Sequence, residues 1–359
     1  MKVVVTGTRG IPNVMGGVET HCEQLFPRLA AMGVDVTVVR RSGYVSDGLT
    51  EWNGVKLKDI PAPKKKSFEA IVHTFRAVNY AARIHADIIH VHAAGPALVT
   101  PYAKLRGLKV VFTSHGPEYD RDKWGKLAKA VLRLGERLAV KYADDVIVIS
   151  DVIRNIIKDK YGRTERVHLI YNGVPSPEPC DYPEYFEELG IEPGKYILGM
   201  CRFVPEKRLG DLVEACKGLQ DYKLVLAGDT DFEDAYSRKL KADAKAAGAV
   251  LTGFIRGRKL QSLLTHAACY VLPSSHEGLP IALLEAMSYG NKVLVSDIPA
   301  NLAVGLPEKN YFRCGDVADL AGKLRGMLAS GEKPEYDMSR YDWDTIAEQV
   351  KQVYESQNI

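Results

Sequence analysis

The 359-residue sequence predicts an α/β protein built from two doubly wound domains, each a mostly parallel sheet covered by helices. Three observations carry this expectation. Short Val- and Ile-rich segments alternate with longer amphipathic ones, the pattern of strands covered on both faces. The alternation breaks once, in a proline-rich stretch, and then restarts. The chain length suits two domains better than one.

In the first half the strand candidates are 3–6, 35–39, 88–91, 109–113, 146–149 and 168–171. Helical patterns fall between them near 19–32, 69–84, 122–142 and 151–160. After Asn172-Gly173-Val174-Pro175 the grammar stops. Residues 175–194 hold Pro175, Pro177, Pro179, Pro183 and Pro193 among several acids, and read as a linker. Strand candidates resume at 196–200, 222–227, 249–251, 269–273 and 292–296. Helices are predicted near 208–218, 231–247, 258–266, 280–289 and 316–329, with a last one at about 343–357. Two such domains imply a ligand cleft between them, because ligands of open α/β sheets collect at the carboxyl ends of the strands.

Composition excludes several classes. No run of about 18 apolar residues reads as a membrane span. The N-terminus reads as a first strand and turn, without the apolar region and cleavage site of a signal peptide. Six scattered cysteines show no CxxC spacing and no histidine at zinc-ligand intervals, so neither a disulfide nor a metal is expected. A reduced, cytoplasmic protein fits best. The net charge of +3 hides an asymmetry. Residues 1–175 carry 27 basic and 17 acidic side chains, and the remainder 21 and 28. One half therefore suits an anionic partner, while the acidic second half argues against nucleic acid.

Four motifs stand at predicted strand exits. The first is Leu272-Pro273-Ser274-Ser275-His276-Glu277-Gly278-Leu279-Pro280, running into a helix that carries Glu285. Backbone N–H groups near Gly278 and Leu279, at a helix N-terminus, suit a phosphate. One carboxylate there can hold sugar hydroxyls and a second can hold ribose hydroxyls. Glu277 also reads as a capping residue, and Glu285 as a surface one. The second motif is Arg202-Phe203-Val204-Pro205-Glu206-Lys207, whose planar fork and point charge can face a diphosphate. It reads equally as a solvated basic loop. The third is Gly16-Gly17, which lets backbone approach a ligand closely or simply makes a tight turn. It is not the GxGxxG of a nicotinamide-binding turn. The fourth is Thr113-Ser114-His115-Gly116, where His115 can face a cleft or serve as a structural histidine. His90 and His92 read as structural.

These residues resemble the retaining GT-B glycosyltransferases of the "group 1" family, family four, over nearly the whole chain. Glu277 and Glu285 match its E-x7-E motif, and Arg202 and Lys207 its R-x4-K pair. Gly16 and Gly17 match its Gly-Gly loop, and His115 its acceptor-domain histidine. The segment Val148-Ile149-Ser150 also fits, as do Tyr171-Asn172-Gly173-Val174 and a C-terminal segment at Trp343. Thr6–Pro12 is similar to a rhamnosyltransferase-like subgroup.

The resemblance implies two Rossmann-like domains facing across a cleft. Residues 1–174, with a C-terminal helix at 343–359 packing back on them, would bind acceptor. Residues 175–342 would bind a nucleotide-sugar, with UDP preferred and GDP second. It implies Arg202 and Lys207 on the departing diphosphate, without a metal or other cofactor, beside amides at Gly17, Gly278 and Leu279. Glu277 would hold the sugar, His115 would stand on the acceptor side, and Glu285 would bind the ribose. Phe254 would stack near the base. The acceptor would be a glycan or lipid-linked molecule of bacterial surface polysaccharide or glycolipid synthesis. Residues 121–141 carry Arg121, Lys123, Lys126, Lys129, Arg133, Arg137 and Lys141, interleaved with Trp124, Leu127, Val131, Leu132 and Leu138. With Lys64, Lys65 and Lys66 they predict reversible docking on the anionic cytoplasmic face of an inner membrane. Two alternatives remain: a nucleotide-sugar-binding protein without turnover, and a GT-B nucleotide-sugar epimerase.

Overall fold

The computed structural model describes residues 1–14, 16–63, 69–117, 119, 125–230, 233–331 and 334–356. It divides into two compact units, Met1–Gly173 with Tyr341–Ile359, and Val174–Arg340. No helix among the described residues is long and apolar enough to cross a membrane.

In chain order the first unit contains β1 (Lys2–Thr6), α1 (Gly17–Ala31), β2 (Asp35–Arg41), β3 (Glu51–Trp52), β4 (Val55–Ile60), α2 (Glu69–Arg83), β5 (Ile88–His92), α3 (Thr100–Leu105), β6 (Lys109–Ser114), α4 (Lys126–Tyr142), β7 (Asp145–Val148), α5 (Asp151–Tyr161) and β8 (Val167–Leu169). Its described strands order as β3-β4-β2-β1-β5-β6-β7-β8, parallel except for the β3–β4 hairpin. Register on β1 pairs Val5 with Val38 on one side and with His90 on the other. The β1, β5, β6 and β7 strand interiors are fully apolar or fully covered, which is why they read clearly in sequence. Ser150 caps α5 by accepting from the Ile153 N–H, and Gly162 ends it in the left-handed conformation.

The second unit contains α6 (Pro183–Leu189), β9 (Tyr196–Met200), α7 (Leu209–Ala215), β10 (Lys223–Ala227), α8 (Ala235–Ala246), β11 (Val250–Gly253), α9 (Arg258–His266), β12 (Cys269–Leu272), α10 (Ile281–Ser288), β13 (Val293–Ser296), α11 (Pro299–Leu302), β14 (Tyr311–Phe312) and α12 (Val317–Ala329). Its described sheet is parallel throughout, in the order β11-β10-β9-β12-β13-β14. Order reverses between β9 and β12, a topological switch point of the kind where such sheets bind ligands.

The chain then returns to the first unit as α13 (Trp343–Glu355), capped by Asp342, which accepts from the Thr345 N–H at 2.8 Å. Ile346, Val350 and Tyr354 of α13 share one buried cluster with Leu25, Phe26 and Leu29 of α1. Each such side chain contributes about 1.5–3 kcal/mol on burial. Trp343 lies against Gly173, where a Cβ would land inside the indole.

Three differences from the sequence expectation have physical causes. The 175–194 stretch is not all linker. Pro183 occupies the first turn of α6, where a missing N–H costs nothing, and Tyr185 and Phe186 bury that helix. The β3–β4 hairpin was not predicted, although Asn53-Gly54 turns it with φ of 45° and 78°. Of the apolar side chains assigned to the basic 121–141 face, Leu132 points inward against Ala94 and Tyr119. Leu127 protrudes, and so does Leu134, which the sequence reading does not include. Lys64, Lys65, Lys66, Arg121, Lys123 and Trp124 lie outside the described residues.

Candidate active site

In the second unit the carboxyl ends of β9 and β12 carry the two charged motifs. Beyond β9, Phe203 plunges into the core at 1% exposure and anchors the loop between two ligand-type residues. Arg202 and Lys207 on either side stay partly exposed. A single 3-10 turn, Pro205–Lys207, then reverses the chain. Beyond β12 the polypeptide passes through Ser275 and Glu277 before Pro280 caps α10. Pro280 stands at the cap itself, one position before the first helical residue expected of it.

The two loops are latched together. The Ser275 N–H donates to the Glu206 carbonyl at 2.8 Å, and its hydroxyl reaches the same oxygen at 3.2 Å. Lys207 Nζ forms an ion pair with Glu277 Oε1, with the two side chains 15% and 9% exposed. Each charge covers the other's desolvation, so removing either one strands its partner. Beneath them burial pushes the Cys201 thiol up to about 12, opposed by Lys207 and Arg202, which makes it a spectator rather than a nucleophile. Burial raises the Tyr270 phenol well above its ordinary value, with smaller contributions from Cys201, Glu277 and Glu285.

Glu285, on α10, behaves differently from Glu277. Burial pushes its carboxyl up to about 7, and no hydrogen bond or ion pair to it is seen among the described residues. A carboxyl without donors, still partly open to solvent, is chemically ready for a pair of hydroxyls. Gly278 is partly exposed and Leu279 is buried at 5%. Phe254 follows β11 and is 46% exposed. β11 lies two strands from β9, about 10 Å at ordinary strand spacing.

In the first unit the Gly16-Gly17 turn opens α1, and the two glycines do different things. Gly16 has φ 143°, and a Cβ there would overlap the Glu19 carboxylate. Gly17 is exposed, with open space where a Cβ would project. The turn is pinned from behind. Glu19, buried at 6%, accepts from the Arg9 backbone N–H at 3.0 Å and from its Nε at 3.2 Å. Arg40, fully buried, donates to the Ile11 carbonyl and to Asp47 and Asp59. A rigid loop with an exposed glycine at a helix N-terminus suits an anion.

His115 stands just past β6. Its Nε2 lies 3.0 Å from Nδ1 of His92, at the end of β5, because β5–β6 register pairs His92 with Thr113. The His21 ring of α1 approaches His115 edge-on at 5.0 Å between centroids. One ring nitrogen from each of His21, His92 and His115 lies within 4.8 Å of the others. His21 is held in turn by Asn172 at 2.8 Å and by the Trp343 ring. His90 bridges Tyr354 and Thr113, both at 2.6 Å. The sequence pattern reads His92 as structural and assigns no role to His21. The signal available was only a second histidine two residues on in a buried strand.

Residues 15–176 match Glycosyltransferase Family 4, and residues 181–342 match Glycosyl transferases group 1. An uncharacterized glycosyltransferase, YqgM of Bacillus subtilis, is 31% identical over 220 residues, 58% of each chain. A UDP-Gal:alpha-D-GlcNAc-diphosphoundecaprenol alpha-1,3-galactosyltransferase of Escherichia coli is 25% identical, over 84% of this chain and 81% of that one. The Anabaena protein HepE, solved with UDP-glucose, shares the fold at a TM-score of 0.82 and 18% identity, covering 99% of this chain and all of HepE.

Proposed function

Since the chain belongs to the family 4, group 1 glycosyltransferases, a GT-B fold of two Rossmann-like units, we propose that it is a retaining, metal-independent hexosyltransferase acting on a nucleotide-sugar, UDP-linked in preference to GDP-linked. The observation that carries this reading is the Lys207–Glu277 pair, latched beside Arg202 at the switch point of the second sheet.

The pair explains how one site can serve both ends of the scissile bond. A diphosphate draws Lys207 to itself, with Arg202 as its second cation. Glu277 is then released to accept hydrogen bonds from sugar hydroxyls, which satisfy its oxygens in place of the ammonium. The Gly278 and Leu279 amides add donors to the phosphates. Removing one well-placed donor of this kind costs ~2.7–4 kcal/mol of barrier. Glu285 receives the ribose hydroxyls and works on affinity more than on rate. Phe254 is the platform proposed for the base.

Attack occurs on the face the diphosphate leaves. The C1–phosphate oxygen bond breaks as the acceptor oxygen bonds to C1. The acceptor's proton passes to the departing phosphate oxygen, the nearest strong acceptor on that face. His115, in the first unit, is assigned to the acceptor side. A donor panel of UDP- and GDP-sugars, read by thermal shift with and without EDTA, tests the reading. Binding to the folded state at one hundred times Kd stabilises by ~2.7 kcal/mol. A shift with one nucleotide class, unchanged by EDTA and lost in Arg202→Ala, is the expected result. A requirement for divalent metal, or an altered sugar released without any acceptor, would overturn it.

The acceptor is proposed to be a glycan or lipid-linked molecule in surface polysaccharide or glycolipid synthesis at the cytoplasmic face of the membrane. What supports this is the exposed side of α4, where Leu127, at 81% exposure, and Leu134 stand among Lys126, Arg133, Arg137 and Lys141. Leu127 and Leu134 are seven residues apart, hence on one face. Sedimentation with anionic vesicles at low salt should retain the wild type and release Leu127→Asp/Leu134→Asp. Equal binding to neutral vesicles would sink the docking surface.

A further inference from the structure

The histidines around His115 allow their hydrogens to be counted. His21 and His92 are 3% and 0% exposed. Burial holds His21 at about 4 and His92 well below its ordinary value, so each is a neutral ring with one N–H near pH 7. His21 Nδ1 faces the Asn172 side-chain oxygen at 2.8 Å. That oxygen only accepts, so the hydrogen sits on Nδ1 and Nε2 is a lone pair. His21 Nε2 is buried with no hydrogen-bond partner, which a lone pair tolerates better than an N–H does.

The same count applies to His92. One hydrogen lies between His92 Nδ1 and His115 Nε2, 3.0 Å apart. Were it to belong to His115, His92 would carry its own hydrogen on Nε2. That atom is buried without a partner, so an N–H would be orphaned in the core. Phe26 closes the ring's surroundings edge-on at 5.7 Å and offers no acceptor oxygen. If the hydrogen belongs to His92 Nδ1 instead, only a lone pair is left unpaired.

We propose that His92 is a positioning residue whose Nδ1–H donates to His115 Nε2, fixing His115 as its Nδ1–H tautomer, a hydrogen-bond donor with no lone pair at Nδ1 to accept a proton. His115 then serves by donating a hydrogen bond, not as a general base. This agrees with a same-face reaction in which the phosphate oxygen takes the acceptor's proton. The three imidazoles are also spaced within reach of a soft divalent cation. A metal on His92 Nδ1 would force the hydrogen onto Nε2, whereas metal-bound histidines almost always donate their other N–H to a partner. The hydrogen-bonded arrangement needs no such orphan.

The inference rests on His115 belonging to the reaction, but the tautomer can be read without turnover. Long-range 15N–1H NMR of histidine-labelled protein, assigned with His115→Gln, should show a protonated Nδ1 and an unprotonated Nε2 at His115. His92→Asn places an amide N–H at the Nδ1 position and should keep that pattern. His92→Asp can only accept there and should invert it. His92→Leu should lower kcat on the order of 10²-fold or more, with donor KM changing far less, and His92→Asn should recover at least about tenfold of the loss. An Nε2–H tautomer in the wild type would overturn the proposal, whether or not the variants fold. So would equal kcat for the Asn and Leu variants, or a one-to-one Zn2+ complex that shifts all three rings. If His115→Gln turned over normally, His115's place in the reaction would fall while the tautomer assignment stood.

Discussion

The two units hold chemistry at strand ends in opposite ways. In Val174–Arg340 the candidate groups are charges, paired across two loops that each span only a few residues of sequence. In the first unit the groups around His115 are neutral rings drawn from α1, β5, β6 and the returning Trp343. Charges at a switch point suit a ligand that arrives as an anion, because the pair can exchange partners on binding. Neutral rings suit a task in which geometry and hydrogen placement matter more than field strength.

The contrast breaks most sharply at Lys207. Lys207→Ala removes the cation proposed for the diphosphate and leaves the Glu277 carboxylate, 9% exposed, without its counter-charge. Catalytic efficiency should fall by about 10²–10³-fold, and the melting temperature should fall with it. Lys207→Gln/Glu277→Gln should recover the melting temperature and none of the activity. Steady-state kinetics beside thermal melts separates the two. A double variant as unstable as the single one would mean that the pair does not cover its own desolvation.

The two adjacent glycines sharpen the comparison within the first unit. Gly16→Ala places a side chain at φ 143°, against a carboxylate pinned by Arg9. It should lose about 1–3 kcal/mol of stability in urea melts. Gly17→Ala projects into open space at the first helical position and should be neutral or stabilising by up to about 1 kcal/mol. It should still weaken donor binding if the backbone there meets a phosphate. Equal destabilisation by both would discard the backbone argument.

Sequence was most informative where chemistry is local. Glu277, Arg202 and Lys207 could be placed at strand exits from sequence because each lies in a short loop between a parallel strand and the helix that follows it. The strands of both sheets were readable because interiors covered on two faces must be apolar. What escaped depended on contacts far apart in the chain. His92 meets His115 only through the β5–β6 register. Trp343 reaches His21 only once α13 has packed on α1. The β3–β4 hairpin had a legible Asn53-Gly54 turn, but strands of two and six residues lie under the weight of the longer pattern around them. Helix α6 was masked by prolines, although Pro183 is a residue that starts helices as readily as it stops them.

The smallest predicted effect concerns Glu285, and it has a definite sign. Its carboxyl titrates near 7 because burial disfavours the charged form. Ribose hydroxyls donate best to the carboxylate, so donor binding competes with a proton on Glu285. Below pH 7 the proton wins and affinity falls. Above pH 8 the carboxylate is already formed and affinity levels off. For a single group titrating near 7, Kd should weaken about tenfold between pH 8 and pH 6. A nucleotide-sugar is the right probe, since its diphosphate is esterified at both ends and does not itself titrate in that range. Glu285→Gln should flatten the profile at a weaker Kd. A slope that survives Glu285→Gln would move the titrating group elsewhere and remove the ribose role assigned to this carboxyl.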